Sequence, residues 1–451
     1  MRSLFGTDGI RGKAGEHPLD PATVSRIGAA LAASLRDGGR AGTLTVVVGG
    51  DTRVSTPGIV AALAGGLAAA GAEVRFAGVV PTPAVAHLVK ALGADAGISV
   101  SASHNPWPDN GIKVFSSEGR KLPDSVEAVI ERRIATASAV DPLDVVEDPA
   151  LADLYETHLV ESLPARLDGL SVVLDCANGA AFRVAPEAFR RAGARVIPLA
   201  VAPDGRNINA GCGALHPQAM AAAVAAAGAD LGLALDGDAD RAMLADGEGR
   251  VLDGDDVLLL WALELEREGK KPETVVGTVM SNWGLEEALA ARGVRLVRAA
   301  VGDRYVVEEM ERHGAVLGGE QSGHLIRADL TTTGDGTLTG LHVAAAVAAT
   351  RVPLAASPRL VRAPQLLRNV HVRERVPFEK VPGFAGLLAR AEERIAGHGR
   401  ILVRYSGTEL LARVMVEGKD HDTVTAIAEE LAGALHEAIG APVLEAKERH
   451  P

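Results

Sequence analysis

Short apolar runs rich in Val, Ile and Leu alternate along this chain with Ala-rich stretches of helical period, the pattern of α/β units whose strands are buried on both faces. In the first region the spacing predicts strands at Thr45–Val48, Glu73–Ala77 and Ala96–Val100, separated by helices near Pro57–Ala70 and Ala84–Leu92. The polar run Ser101–Asn110 then falls at a strand end. A second region repeats this order, with strands at Ser171–Leu174, Arg195–Pro198 and Leu231–Leu235 and helices over Val184–Ala192 and Gln218–Ala227. A third predicts strands at Thr274–Thr278, Arg295–Ala299 and Ala315–Leu317, with helices near Leu285–Ala291 and Arg304–Arg312. The last region differs: strands near Asn369–Val372, Arg400–Tyr405 and Ala412–Glu417, with helices over Leu387–Ile395 and Val424–Ile439. The expected fold class is α/β, three similar domains with mixed, mainly parallel sheets (1–152, 153–252 and 253–363) followed by a smaller α+β domain (364–451).

The length of 451 residues agrees with several domains. A net charge of -12 argues against polyanion partners, since neutralising phosphates requires clustered Lys and Arg, so nucleic acid is not an expected partner. Only Cys176 and Cys212 are present, too few for a disulfide framework, which points to a reducing cytoplasm. The opening Met1–Asp8 lacks the apolar centre of a signal peptide. Apolar runs such as Ile59–Ala72 fall short of membrane length and read as packed helix, so no membrane partner is expected.

Four segments carry candidate chemistry. In Leu233–Arg241 an apolar strand ends in Asp236, Asp238 and Asp240 at every second position, which on an extended chain puts three carboxylates on one side. Such charges repel unless a cation holds them, and oxygen ligands without His or Cys suit Mg2+. An EF-hand is excluded by Arg241 and Gly247 at its sixth and twelfth positions. A strand-Asp-x-Asp phosphatase and a solvated acidic turn remain open. The segment Ser99–Pro106 offers a hydroxyl nucleophile at a strand end, with Lys113 and Arg120 nearby in sequence. A Ser-His hydrolase lacks its Gly-x-Ser-x-Gly elbow here, and side chains adjacent on a turn usually diverge; simple capping by Ser and Asn is the other alternative. Arg404–Glu409, followed by Arg413, joins two strands through a turn with hydroxyls and two guanidiniums, either a phosphate clamp or an ordinary hairpin. Gly318–His324 is a Gly-rich loop with a carboxylate, an amide, a hydroxyl and an imidazole, a set suited to a polyhydroxy ligand.

In this order and spread over the whole chain, Ser-Ala-Ser-His-Asn-Pro, Asp-Gly-Asp-Ala-Asp-Arg, Gly-Glu-Gln-Ser-Gly-His and Arg-Tyr-Ser-Gly-Thr-Glu resemble the signature segments of the α-D-phosphohexomutase family. The opening Phe5–Gly12, the segment Asn207–Asn209 with Cys212 and Gly213, and Gln321 resemble the family's glucosamine-phosphate branch; glucose and mannose branches usually carry Met in place of Gln321. The resemblance implies four domains around a central cleft and an enzyme that interconverts glucosamine 6-phosphate and glucosamine 1-phosphate. The reaction would run through a phosphoserine and a 1,6-bisphosphate, supplying UDP-N-acetylglucosamine and cell-wall synthesis. Glucose or mannose phosphate mutase is the alternative, and a metal-dependent sugar phosphatase a further one that would leave the Arg404–Arg413 clamp unexplained.

By the same resemblance Ser103 carries the phosphoryl group and, with Asp236, Asp238 and Asp240, binds one Mg2+ ion. Arg11, Lys113 and Arg241 line the reaction centre, Lys113 assisting proton transfer. Glu320 and Ser322 hold sugar hydroxyls with His324 beside them, and Arg404, Ser406, Gly407, Thr408 and Arg413 hold the phosphate that is not reacting. The expected partners are a phosphorylated hexosamine and a second copy of the chain in a homodimer. Leu410 stands where the phosphate loop commonly has Pro, and Leu215 where the cysteine-containing segment commonly has Thr.

Overall fold

The computed structural model describes residues 4–6, 8–39, 42–406 and 409–441. The chain forms two compact units, 1–278 with 297–359 and 279–296 with 360–451.

The first unit is organised by repeated mixed sheets. Its six-stranded sheet has the order Phe5–Gly6, Gly9–Lys13, Asp109–Ser116, Ala96–Val100, Leu44–Gly50, Ala72–Val79. A five-stranded sheet follows as Val251–Leu252, Ala242–Asp246, Leu231–Leu235, Ser171–Asp175, Arg195–Leu199, and a four-stranded one as Arg295–Ala299, Thr274–Thr278, Leu317–Gly319, Leu325–Arg327. One order recurs in all three: the repeat's first strand lies between its second and third, the third runs parallel to the first, and the fourth returns antiparallel against the third. This topological recurrence is the repetition that the strand and helix spacing implies, carried by pairing geometry where side-chain identity has diverged.

The fourth strands, Asp109–Ser116, Ala242–Asp246 and Leu325–Arg327, are not among the elements expected from hydrophobic runs. In the first of these, polar residues explain why. Asn110 and Lys113 are buried in the first of them yet read as loop, because their polarity serves the site and not the core. The helix Gly336–Thr350 is buried along most of its length and therefore shows no amphipathic stripe. Its start is fixed by Asp335, which accepts the Leu338 N–H at 2.9 Å and the Tyr155 hydroxyl at 2.7 Å. In the first sheet Val46, Val48, Ile98, Val100 and Ile112 pack with Ile27, Leu31 and Leu63 of the covering helices. The C-terminal ends of strands Ala96–Val100 and Leu231–Leu235 are thus rigidly placed, and both candidate catalytic loops hang from them.

The second unit holds a three-stranded antiparallel sheet, Gln365–His371, Leu411–Gly418, Gly399–Tyr405, covered by helices Phe384–Ile395 and His421–Ile439. Its core includes Val414, Val416, Ile427 and Leu431. The helix Trp283–Ala290, which spacing places in the third region, clusters here. Asn282 caps that helix and exchanges hydrogen bonds with Ala363, and the Arg400 guanidinium donates to Val279 O at 2.7 Å and Ser281 O at 3.0 Å.

Candidate active site

Ser103 lies just past strand Ala96–Val100, fully buried, with φ of 52°. A non-glycine residue in the left-handed region needs its surroundings to hold it there. Arg53 and Asn209 do so, donating to the Ser103 carbonyl at 3.3 and 2.9 Å and to the Asn105 carbonyl at 2.5 and 3.3 Å. Arg53 is in turn paired with Asp51 at 2.5 Å, both side chains wholly buried. Asp51 also accepts the Ser101 hydroxyl at 2.5 Å, and Ser101 Oγ receives the Ser103 N–H at 3.0 Å.

This scaffold of Asp51, Arg53, Ser101 and Asn209 was not among the expected site residues. One signal was available: Asp51 and Arg53 follow the strand Leu44–Gly50 at its C-terminal end, the position where α/β sheets put ligand-handling groups. Replacing Arg53 with Met should leave Asp51 as an uncompensated buried charge, costing about 3–5 kcal/mol. Thermal unfolding should show a lowered Tm, with activity reduced in the surviving folded fraction.

The Asp236 loop meets the Ser103 loop directly. Ser103 Oγ donates to Asp236 Oδ2 at 2.5 Å, and Asp236 Oδ1 accepts the Arg241 N–H at 3.2 Å. Strand Leu231–Leu235 ends before Asp236, so the three carboxylates do not share one side of an extended strand as expected. They converge through a tight turn instead, in which Ala239 has φ of 57° and its N–H donates to Asp236 O at 3.0 Å. One oxygen from each of Asp236, Asp238 and Asp240 lies within 4.8 Å of the others. All three residues are buried, and Asp238 Oδ1 and Asp240 Oδ1 have no hydrogen-bond partner among the described residues. Burial, reinforced by the charges of Asp240 and Asp238, pushes the Asp236 carboxyl up. Unpaired carboxylate oxygens packed this closely suit a hard divalent cation.

Lys113, buried in strand Asp109–Ser116, reaches Asp238 at 2.8 Å and Asp240 and Asp8 at 3.2 Å each. Burial works against its charge, but Asp238, Asp8 and Asp240 outweigh that and hold its pKa well above the ordinary lysine value. In this cage Lys113 is held as an ammonium. His104 faces Ser103. Burial, then Arg241 and Arg11, lower its pKa, and its Nδ1 lies 3.3 Å from Ser103 Oγ. Sequence neighbours on a turn were expected to diverge; the left-handed backbone at Ser103 turns these two toward each other. Arg120 belongs elsewhere, ion-paired with Glu311.

Arg11 pairs with Asp8 and approaches Ala102 O at 3.5 Å, and Arg241 Nε stands 3.8 Å from Asp240. Glu320 Oε1 accepts the Gly302 N–H at 2.9 Å, and Ser322 donates to Oε2 at 3.3 Å. His324 Nδ1 lies 3.7 Å from Asp240, while its Nε2 accepts the Gly334 N–H at 3.1 Å, which assigns the ring proton to Nδ1. The Glu320 loop is stitched to the Asp236 loop by the Ala242 N–H donating to Gly323 O at 3.0 Å. A cavity of about 330 Å3 lies among Arg11, His104, Asp240, Arg241, Glu320 and His324. The structure therefore brings Ser103, Arg11, Lys113, Arg241, the Asp triplet, Glu320 and His324 into one neighbourhood, with Ser322 exposed at its edge. Asp8, Lys121 and Asp303 join them without having been expected.

In the second unit Arg404 and Arg413 are directly opposed across the hairpin. Like charges in that position repel; Glu409 lies 3.5 Å from Arg413, and an anion between the two guanidiniums would offset the pair further. Arg413 Nε is buried with no partner among the described residues. Ser406 Oγ accepts the Glu409 N–H at 3.4 Å; Gly407 and Thr408 lie outside the described residues.

A repeated α/β fold, with a serine hydroxyl set against a carboxylate triplet suited to a divalent cation, defines a phosphoryl-transfer protein. Family models agree: phosphoglucomutase/phosphomannomutase α/β/α domains I, II and III match residues 2–141, 152–249 and 253–361, and the C-terminal domain matches 367–434. A phosphoglucosamine mutase of Anaeromyxobacter dehalogenans is 47% identical, covering 97% of this chain and 100% of its own, and one of Moorella thermoacetica is 49% identical over 94% and 96%. The crystal structure of a phosphoglucomutase/phosphomannomutase family protein from Burkholderia thailandensis superposes with a TM-score of 0.79 at 26% identity, covering 97% of this chain and 98% of that one. The chain belongs to the phosphoglucomutase/phosphomannomutase family and is a phosphosugar mutase, an isomerase. No helix among the described residues is long and apolar enough to cross a membrane.

Proposed function

We propose that the protein interconverts glucosamine 6-phosphate and glucosamine 1-phosphate through a phosphorylated Ser103 and glucosamine 1,6-bisphosphate. The observation that carries the reading is the 2.5 Å contact between Ser103 Oγ and Asp236 inside the carboxylate triplet. The names of the relatives in Anaeromyxobacter and Moorella support the amino sugar.

In the first half-reaction the bond between phosphorus and Ser103 Oγ breaks as one forms to O1 of glucosamine 6-phosphate. The O1 proton passes to a base, a role we assign to His104, which lines the cavity, and Ser103 Oγ takes up a proton as it leaves. After the bisphosphate reverses its orientation, the bond between O6 and phosphorus breaks as one forms to Ser103 Oγ, whose proton is passed by way of the base to O6, and glucosamine 1-phosphate leaves. An esterified Oγ no longer donates to Asp236, so the phosphoserine would face three carboxylates with Lys113 as their buried counter-cation. Asp236, Asp238 and Asp240 would hold Mg2+, and the chemistry it would supply there is Lewis-acid neutralisation of the transferring group. Arg11 and Arg241 present guanidiniums to its equatorial oxygens. Glu320 and Ser322 orient the sugar hydroxyls, while Arg404, Ser406 and Arg413 grip the phosphate that is not reacting. A phosphatase has no use for that second anion site. The protein's expected place is a cytoplasmic one, with Ser103 phosphorylated in the active form.

The test is a coupled assay with Mg2+ that compares glucosamine 6-phosphate with glucose 6-phosphate and mannose 6-phosphate. The amino sugar should have the highest kcat/KM by about tenfold or more, a difference of about 1.4 kcal/mol in transition-state binding. A clear preference for glucose 6-phosphate would overturn the substrate assignment.

A further inference from the structure

The proposed substrate differs from its hexose counterpart in one group, an ammonium in place of the 2-hydroxyl. Selecting it requires a carboxylate with an oxygen that neither the metal triplet nor a cation of the site engages, on a residue not already given to the sugar hydroxyls. Four line the cavity: Asp8, Asp240, Asp303 and Glu320. Asp240 belongs to the metal triplet. Asp8 is surrounded by Arg11, Lys121 and Lys113, the last at 3.2 Å. Glu320 has each oxygen engaged by a neutral donor, the Gly302 N–H and the Ser322 hydroxyl.

Asp303 is differently placed. Its Oδ2 faces Lys121, which it shares with Asp8, and His324 Nε2 at 3.8 Å. Its Oδ1 accepts only the Arg304 N–H, at 2.8 Å, among the described residues. The residue opens the helix Asp303–His313, so its backbone is fixed, and its side chain remains 15% exposed. The His324 ring stands between Asp303, 3.8 Å from Nε2, and Asp240, 3.7 Å from Nδ1, which separates Asp303 from the metal triplet by one imidazole. The C2 substituent of the sugar is adjacent to C1, whose oxygen exchanges the phosphoryl group. A carboxylate at that remove from the reacting centre suits the C2 substituent when C1 faces Ser103.

We propose that Asp303 is the specificity-determining residue for the amino group, its Oδ1 accepting a hydrogen bond from the 2-ammonium of the hexosamine phosphate. The inference rests on the amino-sugar reading given above. Lys121 is then a positioning residue, holding the Asp303 carboxylate at the cavity wall.

The experiment measures kcat/KM for glucosamine 6-phosphate and glucose 6-phosphate with full-length enzyme, Mg2+ and the matching 1,6-bisphosphate, in the wild type, Asp303→Asn and Glu320→Gln. Glucose 6-phosphate is close in shape to the amino sugar, so a purely structural defect moves both substrates together. Asp303→Asn should lower the ratio of amino sugar to hexose by about tenfold or more, whereas Glu320→Gln should lower both values and leave their ratio within about threefold. Asp303→Ser carries the same expectation if the asparagine variant does not fold, and Asp303→Glu should restore a wild-type direction of preference. A ratio unchanged within about threefold in the folded Asp303→Asn or Asp303→Ser variant would overturn the proposal, leaving Asp303 as an ion-pair partner of Lys121 only. A wild type that itself favours glucose 6-phosphate would defeat the amino-sugar reading on that measurement alone, and this inference with it.

Discussion

Ser103→Ala is expected to abolish turnover, lowering kcat by about four orders of magnitude or more, equivalent to about 5.5 kcal/mol of lost transition-state stabilisation. The size follows from the absence of a substitute. Ser101, the nearest hydroxyl in sequence, donates to Asp51 and receives the Ser103 N–H, so it is committed to the scaffold. Thr82 donates its hydroxyl to Asp238 at 2.6 Å and Lys113 is a caged ammonium. The variant should still fold. Its backbone at 103 is held through the carbonyl, by Arg53 and Asn209, and the hydroxyl takes no part in that. Asp236 loses one donor, a cost of about 1–3 kcal/mol for a buried acceptor, which a thermal melt would register as a modest fall in Tm. Two measurements check the result: initial rates in the coupled assay, and intact mass after incubation with the sugar bisphosphate, which should label the wild type and leave Ser103→Ala unmodified. Undiminished turnover in the alanine variant would reject the phosphoserine mechanism.

Much of this arrangement was legible in the sequence, and the reasons are local. Strands such as Ala96–Val100, Leu231–Leu235 and Thr274–Thr278 are buried along their whole length, so continuous apolar runs mark them. Ser103 and the Asp triplet stand immediately after two of those runs, where strand ends present chemistry. The fourth strand of the first repeat was hidden because its sequence serves the site: Lys113 and Asn110 are polar for the sake of the carboxylates and hydroxyls they meet. The ion-pair chain from Lys113 through Asp8 and Lys121 to Asp303 was also hidden. Asp8, the 113–121 stretch and Asp303 are far apart in sequence, and the link to Asp303 needs the first and third repeats packed together, so no window of sequence contains the pattern. The Asp triplet shows the reverse case. Its residues were recognised, but through period-two geometry, whereas a left-handed residue at Ala239 makes them converge.

Asp238→Asn should weaken divalent-cation binding by about a hundredfold or more and reduce kcat by at least a comparable factor. The substitution keeps the volume and removes one charge, so its effect is electrostatic, and the neighbours dictate how the amide turns. Asp238 Oδ2 receives the Lys113 ammonium at 2.8 Å and the Thr82 hydroxyl at 2.6 Å, two donors that an NH2 group cannot accept from. The amide oxygen must therefore face Lys113 and Thr82, which puts the nitrogen where the unpartnered Oδ1 now stands. A cation that found three carboxylate oxygens would find two and an N–H donor. Lys113 aggravates the loss, because a cage with one carboxylate fewer balances its charge less well against an incoming ion. Titration calorimetry with Mg2+ on folded protein reads the binding directly, without relying on activity. Thermal melts give a second reading: ligand at about a hundred times its Kd stabilises the wild type by about 2.7 kcal/mol, and this metal-dependent gain should disappear in Asp238→Asn. An asparagine variant that bound Mg2+ as tightly as the wild type would remove the triplet from the metal site, and with it the reason three buried carboxylates are tolerated beside the nucleophile.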